Sequence, residues 1–212
     1  EATPALSAPA GKVLANQISF AAWDAKIPFL EDNRIVGGRQ VAVITRILPA
    51  TDLAEVGNWL APGLLLFAVN GNDIQKLGGA TPAILNAIKV DPDGKARVVI
   101  EYAGESLEHE TGLLTVEATR LLSLANGVSL RISVIEDKWQ TVVSEVTNPE
   151  ATELKVGDVL FRDKTTGIAM DSGEAFETSM AQLVEAGTTL TTYSVVRDNK
   201  VVSAAMQLAV EP

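Results

Sequence analysis

The sequence predicts an α+β chain that is mainly β with short helices, folded as two consecutive, similar, partly open β-barrels. Three observations carry this. Leu14-Ala15-Asn16-Gln17-Ile18-Ser19-Phe20 returns as Leu124-Ala125-Asn126-Gly127-Val128-Ser129-Leu130, and a similar order of segments follows each copy. A repeat of roughly half the chain implies two equivalent small domains rather than one large fold. Runs of alternating β-branched residues predict strands, and Gly, Pro and Asn pairs mark turns between them. The expected organisation is a linker tail over residues 1–12, a first unit over 13–119 and a second over 120–212.

In the first unit, residues 12–20 suit either a short helix or an extended entry strand. Residues 21–30 hold Trp23, Ile27 and Phe29 around Pro28, which disfavours a helix. Gly37-Gly38 is a turn signal. Residues 40–48, QVAVITRIL, alternate as a strand that Pro49 ends. Residues 52–60 predict a short helix capped by Thr51 or Asp52. Pro62-Gly63 turns the chain into an apolar strand at 64–69, closed by Asn70-Gly71. Thr81-Pro82 predicts a helix start with Thr as N-cap and Pro at the first helical position, and Ile84, Leu85 and Ile88 form its apolar face. Asp91-Pro92-Asp93-Gly94 reads as a turn, 96–102 as a strand, and a partner strand is expected within 107–118.

The second unit keeps the order. Residues 139–146 predict a strand, Pro149 and 150–154 a short helical stretch, and Val156-Gly157-Asp158 a turn into a strand at 159–162. Residues 179–185 predict a helix closed by Gly187. Residues 191–197 and 200–208 predict a hairpin about Asp198-Asn199.

Composition excludes several function classes. The 212 residues carry 17 basic and 27 acidic side chains, a formal net charge of −10. A field of that sign repels nucleic acid and anionic lipid, and no apolar run approaches the ~20 residues of a membrane span. Partners from both classes are therefore not expected. The absence of cysteine removes disulfides, thiolate metal sites and a cysteine nucleophile. Residues 1–11 have no charged n-region or apolar h-region and read as a linker, not a signal peptide. Since the chain opens at Glu1 rather than Met, an upstream portion, with room for an anchor or signal, is expected to have been removed.

The order of elements resembles the PDZ fold in the circularly permuted form of bacterial HtrA/Do-type proteins, without a protease domain. The resemblance rests on residues 43–50, 61–71 and the helix from Pro82 in the first unit, and on Lys155-Val156-Gly157-Asp158-Val159-Leu160-Phe161 and residues 195–200 in the second. It covers nearly all of the chain after residue 12. Leu64 stands where the family pattern has an Asp after the Gly, and Lys164-Thr165-Thr166-Gly167 replaces an Asn-Gly. Neither unit has a clean Gly-hydrophobic loop for a ligand carboxylate; the nearest candidates are residues 27–30 and 128–131.

The resemblance implies an extracytoplasmic, periplasmic module that binds a peptide or protein segment by β-strand addition at a sheet edge. The implied grooves use Ile27, Phe29, Pro82 and Leu85 in the first unit, and Leu130, Ile132, Met180, Leu183 and Val184 in the second. Each of these residues also fits an ordinary core position, because apolar helix faces usually pack inward. The alternative function is a structural or oligomerisation tandem with self-occluded grooves.

No catalytic residue, cofactor or metal is expected. His109, the single histidine, lies in Glu105-Ser106-Leu107-Glu108-His109-Glu110. Neighbouring strand residues point to opposite faces, so these groups do not converge, and a charged hairpin edge is the better reading. Asp91-Pro92-Asp93-Gly94 has its Gly and Lys95 where a calcium loop needs other residues. Gly37-Gly38-Arg39 reads as a turn rather than an anion-binding nest.

Overall fold

A computed structural model describes residues 5–212. The elements run β1 (Ile18–Ala25), β2 (Phe29–Val36), β3 (Arg39–Ile47), α1 (Leu53–Val56), β4 (Leu65–Val69), β5 (Asn72–Asp73), a 3-10 turn at Ile74–Leu77, α2 (Ala80–Ala87), β6 (Lys95–Ala103) and β7 (His109–Leu124). They continue with β8 (Val128–Ile135), β9 (Lys138–Val146), a 3-10 turn at Pro149–Ala151, β10 (Val159–Asp163), α3 (Gly173–Glu185), β11 (Leu190–Arg197) and β12 (Lys200–Gln207). The fold is mainly β and antiparallel, with few, short helices.

Two units form. The N-terminal unit is Trp23–Ala118; the C-terminal unit joins residues 5–22 to Thr119–Pro212. Within the first, the strand order is β2-β3-β4-β6-β7; within the second it is β8-β9-β10-β11-β12, with β7 added beside β8. Each is thus a five-strand meander with its longer helix between the third and fourth strands.

The two sheets share their irregularities as well as their order. Leu30 and Glu31 pair with Arg46 and Ile44, so Thr45 is an extra residue on β3; Ser129 and Leu130 pair with Glu145 and Val143, leaving Ser144 extra on β9. A second bulge places Phe67 between the paired residues Leu66 and Ala68, and Phe161 between Leu160 and Arg162. Gly63 N–H bonds to Ile44 C=O as Gly157 N–H bonds to Val143 C=O. A bulge re-aims the strand and is a built feature of a fold, so two bulges at equivalent positions identify a duplicated unit.

This equivalence corrects the alignment first read from the sequence. By strand pairing β8 is the counterpart of β2, so Val128 corresponds to Phe29, not to Ile18. Residues 14–20 instead belong with the C-terminal unit. The buried Gln17 carboxamide donates to Leu14 C=O and Ala209 C=O, both at 2.8 Å, and accepts from Ala209 N–H at 2.9 Å. Residues 5–12, read as a linker tail, also pack there: Ser7 C=O accepts from Gln207, Pro9 C=O from Thr189, and Lys12 pairs with Glu211. The remainder of the expected tail, residues 1–4, lies outside the described residues.

Other boundaries move for local reasons. Residues 29–36, LEDNRIV after Phe29, form a full strand that shows no alternation because nearly all of it is exposed. No linker separates the units near residue 120, since β7 continues to Leu124. Helix α2 starts at Ala80 with Gly79 as N-cap, so Thr81 is not its cap. Helix α3 starts at Gly173, six residues before the expected Ser179, because the Ser172 hydroxyl accepts from Ala175 N–H.

The cores are aliphatic, as the low aromatic content requires. Ile44, Leu66, Ile84, Ile100 and Leu114 centre the N-terminal unit. Leu122, Leu130, Ile132, Phe176, Met180 and Tyr193 centre the other. No helix among the described residues is long and apolar enough to cross a membrane.

Candidate functional site

The sheet edge that opens each unit is the place to look for strand addition, and the two edges differ. Among the described residues strand β2 pairs with β3 alone and is the terminal strand of its sheet. Strand β8 is paired on both sides: with β9, and with β7 through Arg120↔Ile132, Leu121↔Arg131, Leu122↔Leu130 and Ser123↔Ser129. Its backbone groups are already committed.

Helix α2 is held to the β2 edge by a carboxylate. Glu31 accepts from Ala80 N–H at 3.1 Å and Thr81 N–H at 2.8 Å. A negative group at a helix N-terminus satisfies donors that have no partner inside the helix and opposes the helix dipole. Since Gly79 has no side chain to cap with, this contact from the edge strand supplies the cap. Sequence reading misses it because the two residues stand 49 apart in the chain.

The predicted groove residues divide sharply. Pro82 is exposed in the first turn of α2, and Ile27 and Leu85 are half-buried. Phe29, Leu130, Ile132, Met180 and Leu183 are buried in the two cores, and the half-buried Val184 packs against the second. The five buried side chains do not line an accessible groove, whereas Val184 keeps part of its surface exposed. The cause is the inward pleat of β2 and β8 at those positions and the packing of α3 onto the sheet.

The first residues of both candidate carboxylate loops have no donor to spare. Ile27 N–H bonds to Ala25 C=O, Pro28 has no N–H, and Val128 N–H bonds to the Asn126 side chain. Beside Ile27 and Pro28 lies a cavity of about 210 Å³, walled by Leu48, Val56 and Val116 with Lys95 at its side.

The other sequence candidates are structural. Ser106 accepts from Glu108 N–H, while His109 Nδ1 bonds to Glu101 at 2.6 Å, so the serine and histidine are not partners. Asp91 C=O accepts from Gly94 N–H in a β-turn, and both Asp91 and Asp93 pair with Arg97. The Arg97 hydrogen bond, with that from Lys95 N–H, holds the Asp93 carboxyl below its ordinary range. Gly37 and Gly38 both have positive φ in a two-residue hairpin turn. Among the described residues no group of three or more His, Asp or Glu is placed to hold a metal ion.

The bulge phenylalanines are the feature that sequence reasoning missed, although the shared Leu-Phe pair signals it. Phe67 is 7% exposed. The Arg39 guanidinium lies 5.3 Å from its ring centroid, and the His109 ring stacks on it at 4.3 Å and 16°. Asp73 holds Arg39 at 2.9 Å. Phe161, at the equivalent bulge, is 58% exposed. It borders an open groove of about 600 Å³ with Trp139, Val159, Met170, Asp171 and Val196.

No protein-family model matches this chain, and no curated protein matches it.

Proposed function

We propose that the chain is a non-catalytic tandem of PDZ-like units that recognises an extended peptide or protein segment by strand addition on β2. The observation that carries this reading is the unpaired outer edge of β2, next to a helix pinned to the same strand through Glu31. The order of strands with a helix between the third and fourth supports the PDZ-like assignment, and the sequence resemblance to HtrA/Do-type domains points to an extracytoplasmic, periplasmic setting. In strand addition, main-chain hydrogen bonds supply affinity and flanking pockets supply selectivity. The exposed Leu30, Ile35 and Val36 border the edge, beside the charged Asp32 and Arg34.

For the C-terminal unit the structural reading is favoured, because β7 already occupies the edge of β8 that a peptide would need. One unit then receives the segment and its relative serves as packing.

Fluorescence polarisation with fluorescent peptides, as free acids and as C-terminal amides, tests the proposal. In the β2–β3 hairpin, Val36 and Arg39 flank a two-residue turn and bond to each other, so Asn33 and Ile35 turn their backbone groups outward. Asn33→Pro removes one outward donor while sparing the inner ladder. Binding that weakens about tenfold in this variant, equivalent to ~1.4 kcal/mol, supports β2 as the edge. Loss of binding on amidation would identify C-terminal capture. No binding at high peptide concentration would leave the structural tandem as the better account.

A further inference from the structure

We infer that the groove around Phe161 is a docking site for an arginine-bearing basic segment of a partner protein, at a surface separate from the β2 edge. The two units share one design, but Phe67 is covered in the first and its counterpart Phe161 is exposed in the second.

In the N-terminal unit a cross-strand row of outer-face residues runs Val43, Leu65, Ala103 and His109. By the same pairings the row in the C-terminal unit is Val142, Val159, Val196 and Val201. Arg39 begins β3 after the two-residue turn Gly37-Gly38; Lys138 begins β9 after the two-residue turn Glu136-Asp137. The first row ends beside the bulge phenylalanine Phe67, on which the His109 ring stacks. By register, the positions of Arg39 and His109, the two groups that cover Phe67, are held in the C-terminal unit by Lys138, which lines the Phe161 groove, and by Val201.

The consequences follow from side-chain chemistry. A guanidinium is planar and weakly hydrated, so it lies against an aromatic face, whereas an ammonium keeps its hydration. Lys138 is exposed and makes no ion pair among the described residues. Val201 is 71% exposed and offers no ring to stack. What remains is an aromatic face on a groove wall that also carries the Asp171 carboxylate and the Lys138 ammonium. In the other unit the guanidinium that fits this combination is supplied internally and is held by Asp73. Here the groove has the ring and the acid but not the guanidinium. The net charge of −10 favours encounter with a basic partner.

The test uses the full chain and a fluorescein-labelled nonapeptide with one central Arg between Val and Thr residues, alongside versions with Lys or Ala at the centre. The expected result is binding of the Arg peptide that is at least tenfold weaker for the Lys and Ala peptides and for Phe161→Ala, and unchanged in Asn33→Pro. The double variant Lys138→Arg/Val201→His rebuilds the internal cover; it should raise the thermal midpoint and compete the peptide out. Absence of Arg-peptide binding, or binding indifferent to Phe161→Ala, overturns the inference. So does concentration-dependent self-association that Phe161→Ala abolishes, which would make a second copy of the chain the occupant.

Discussion

Asp158 and Arg197 form a two-point ion pair, with Nε to Oδ1 at 2.7 Å and a terminal guanidinium nitrogen to Oδ2 at 2.6 Å; the equivalent residues of the other unit are Leu64 and Gly104. A Cβ built on Gly104 would sit 3.7 Å from Leu64 Cδ2. One site thus has two solutions: a charged pair, or a leucine over a glycine. The Asp158 side chain is 1% exposed and also accepts from Lys155 N–H, so its charge is bound on several sides.

Removing one partner of a buried pair costs more than removing both, because the remaining charge stays desolvated. Asp158→Leu should destabilise the C-terminal unit by about 3 kcal/mol, reduced from the fully buried case because Arg197 reaches water. Asp158→Leu/Arg197→Met should recover at least half of that. Urea denaturation of the three proteins measures both values; equal losses in the single and double variants would reject the pairing argument.

Tyr193 is fully buried, and its hydroxyl has no hydrogen-bond partner among the described residues. Burial pushes its phenol well above the ordinary value near 10, and the charge of Asp163 adds to the shift. The folded state therefore holds the proton more tightly than the unfolded state. The stabilisation is complete below the unfolded value of about 10 and is lost as pH rises from there toward the folded value. Tyr193→Phe should be neutral or more stable by about 1 kcal/mol, since an unmade hydrogen bond is not forfeited. It should also flatten the alkaline limb of stability, read by chemical denaturation between pH 8 and 11.

Glu136 and Asp137 turn the β8–β9 hairpin with φ of 50° and 61°, where the equivalent turn has Gly37 and Gly38. Side chains at both positions of such a turn are strained. Replacing the pair by Asn-Gly should stabilise the chain by about 1 kcal/mol and raise Tm by about 2–4 °C. Differential scanning calorimetry checks this.

Trp59 lies flat against β7, its indole donating to Leu113 C=O at 2.8 Å and stacking on Tyr102 at 4.6 Å. A Cβ on Gly112 would stand 2.5 Å from Trp59 Nε1. Gly112→Ala should lift the ring, shift tryptophan emission to the red and cost about 2 kcal/mol through overpacking. An unchanged spectrum and stability would show that the loop yields instead.

The sequence made the central hairpins legible for a physical reason: a strand with one face in the core must alternate. Residues 191–197 and 200–208 follow that rule, and 40–48, which is buried on both faces over 41–44, is legible by its β-branched residues; all three match their strands within a residue or two. Strand β2 was missed because its side chains are mostly in water, and β7 beyond Ala118 because no turn residue announces its passage between units. The groove was less legible. Ile27, Pro82 and Leu85 keep exposed surface, but Leu130, Ile132, Met180 and Leu183 belong to the core, since an apolar residue on a pleated surface looks the same from either side of the sheet.

By itself the sequence determined a mainly β chain, acidic and without cysteine chemistry. These follow from period, composition and charge, which are local or additive along the chain, whereas the repeat read from residues 14–20 and 124–130 does not match equivalent strands. Tertiary structure alone decided that the equivalent of β2 is β8, that β7 closes one edge while the other stays open, and that Glu31 caps a helix 49 residues away. It also decided that Phe67 is covered and Phe161 is not. Such outcomes depend on which distant backbone reaches an edge first and on pairs of side chains brought together only by the fold, and no window along the chain contains both partners.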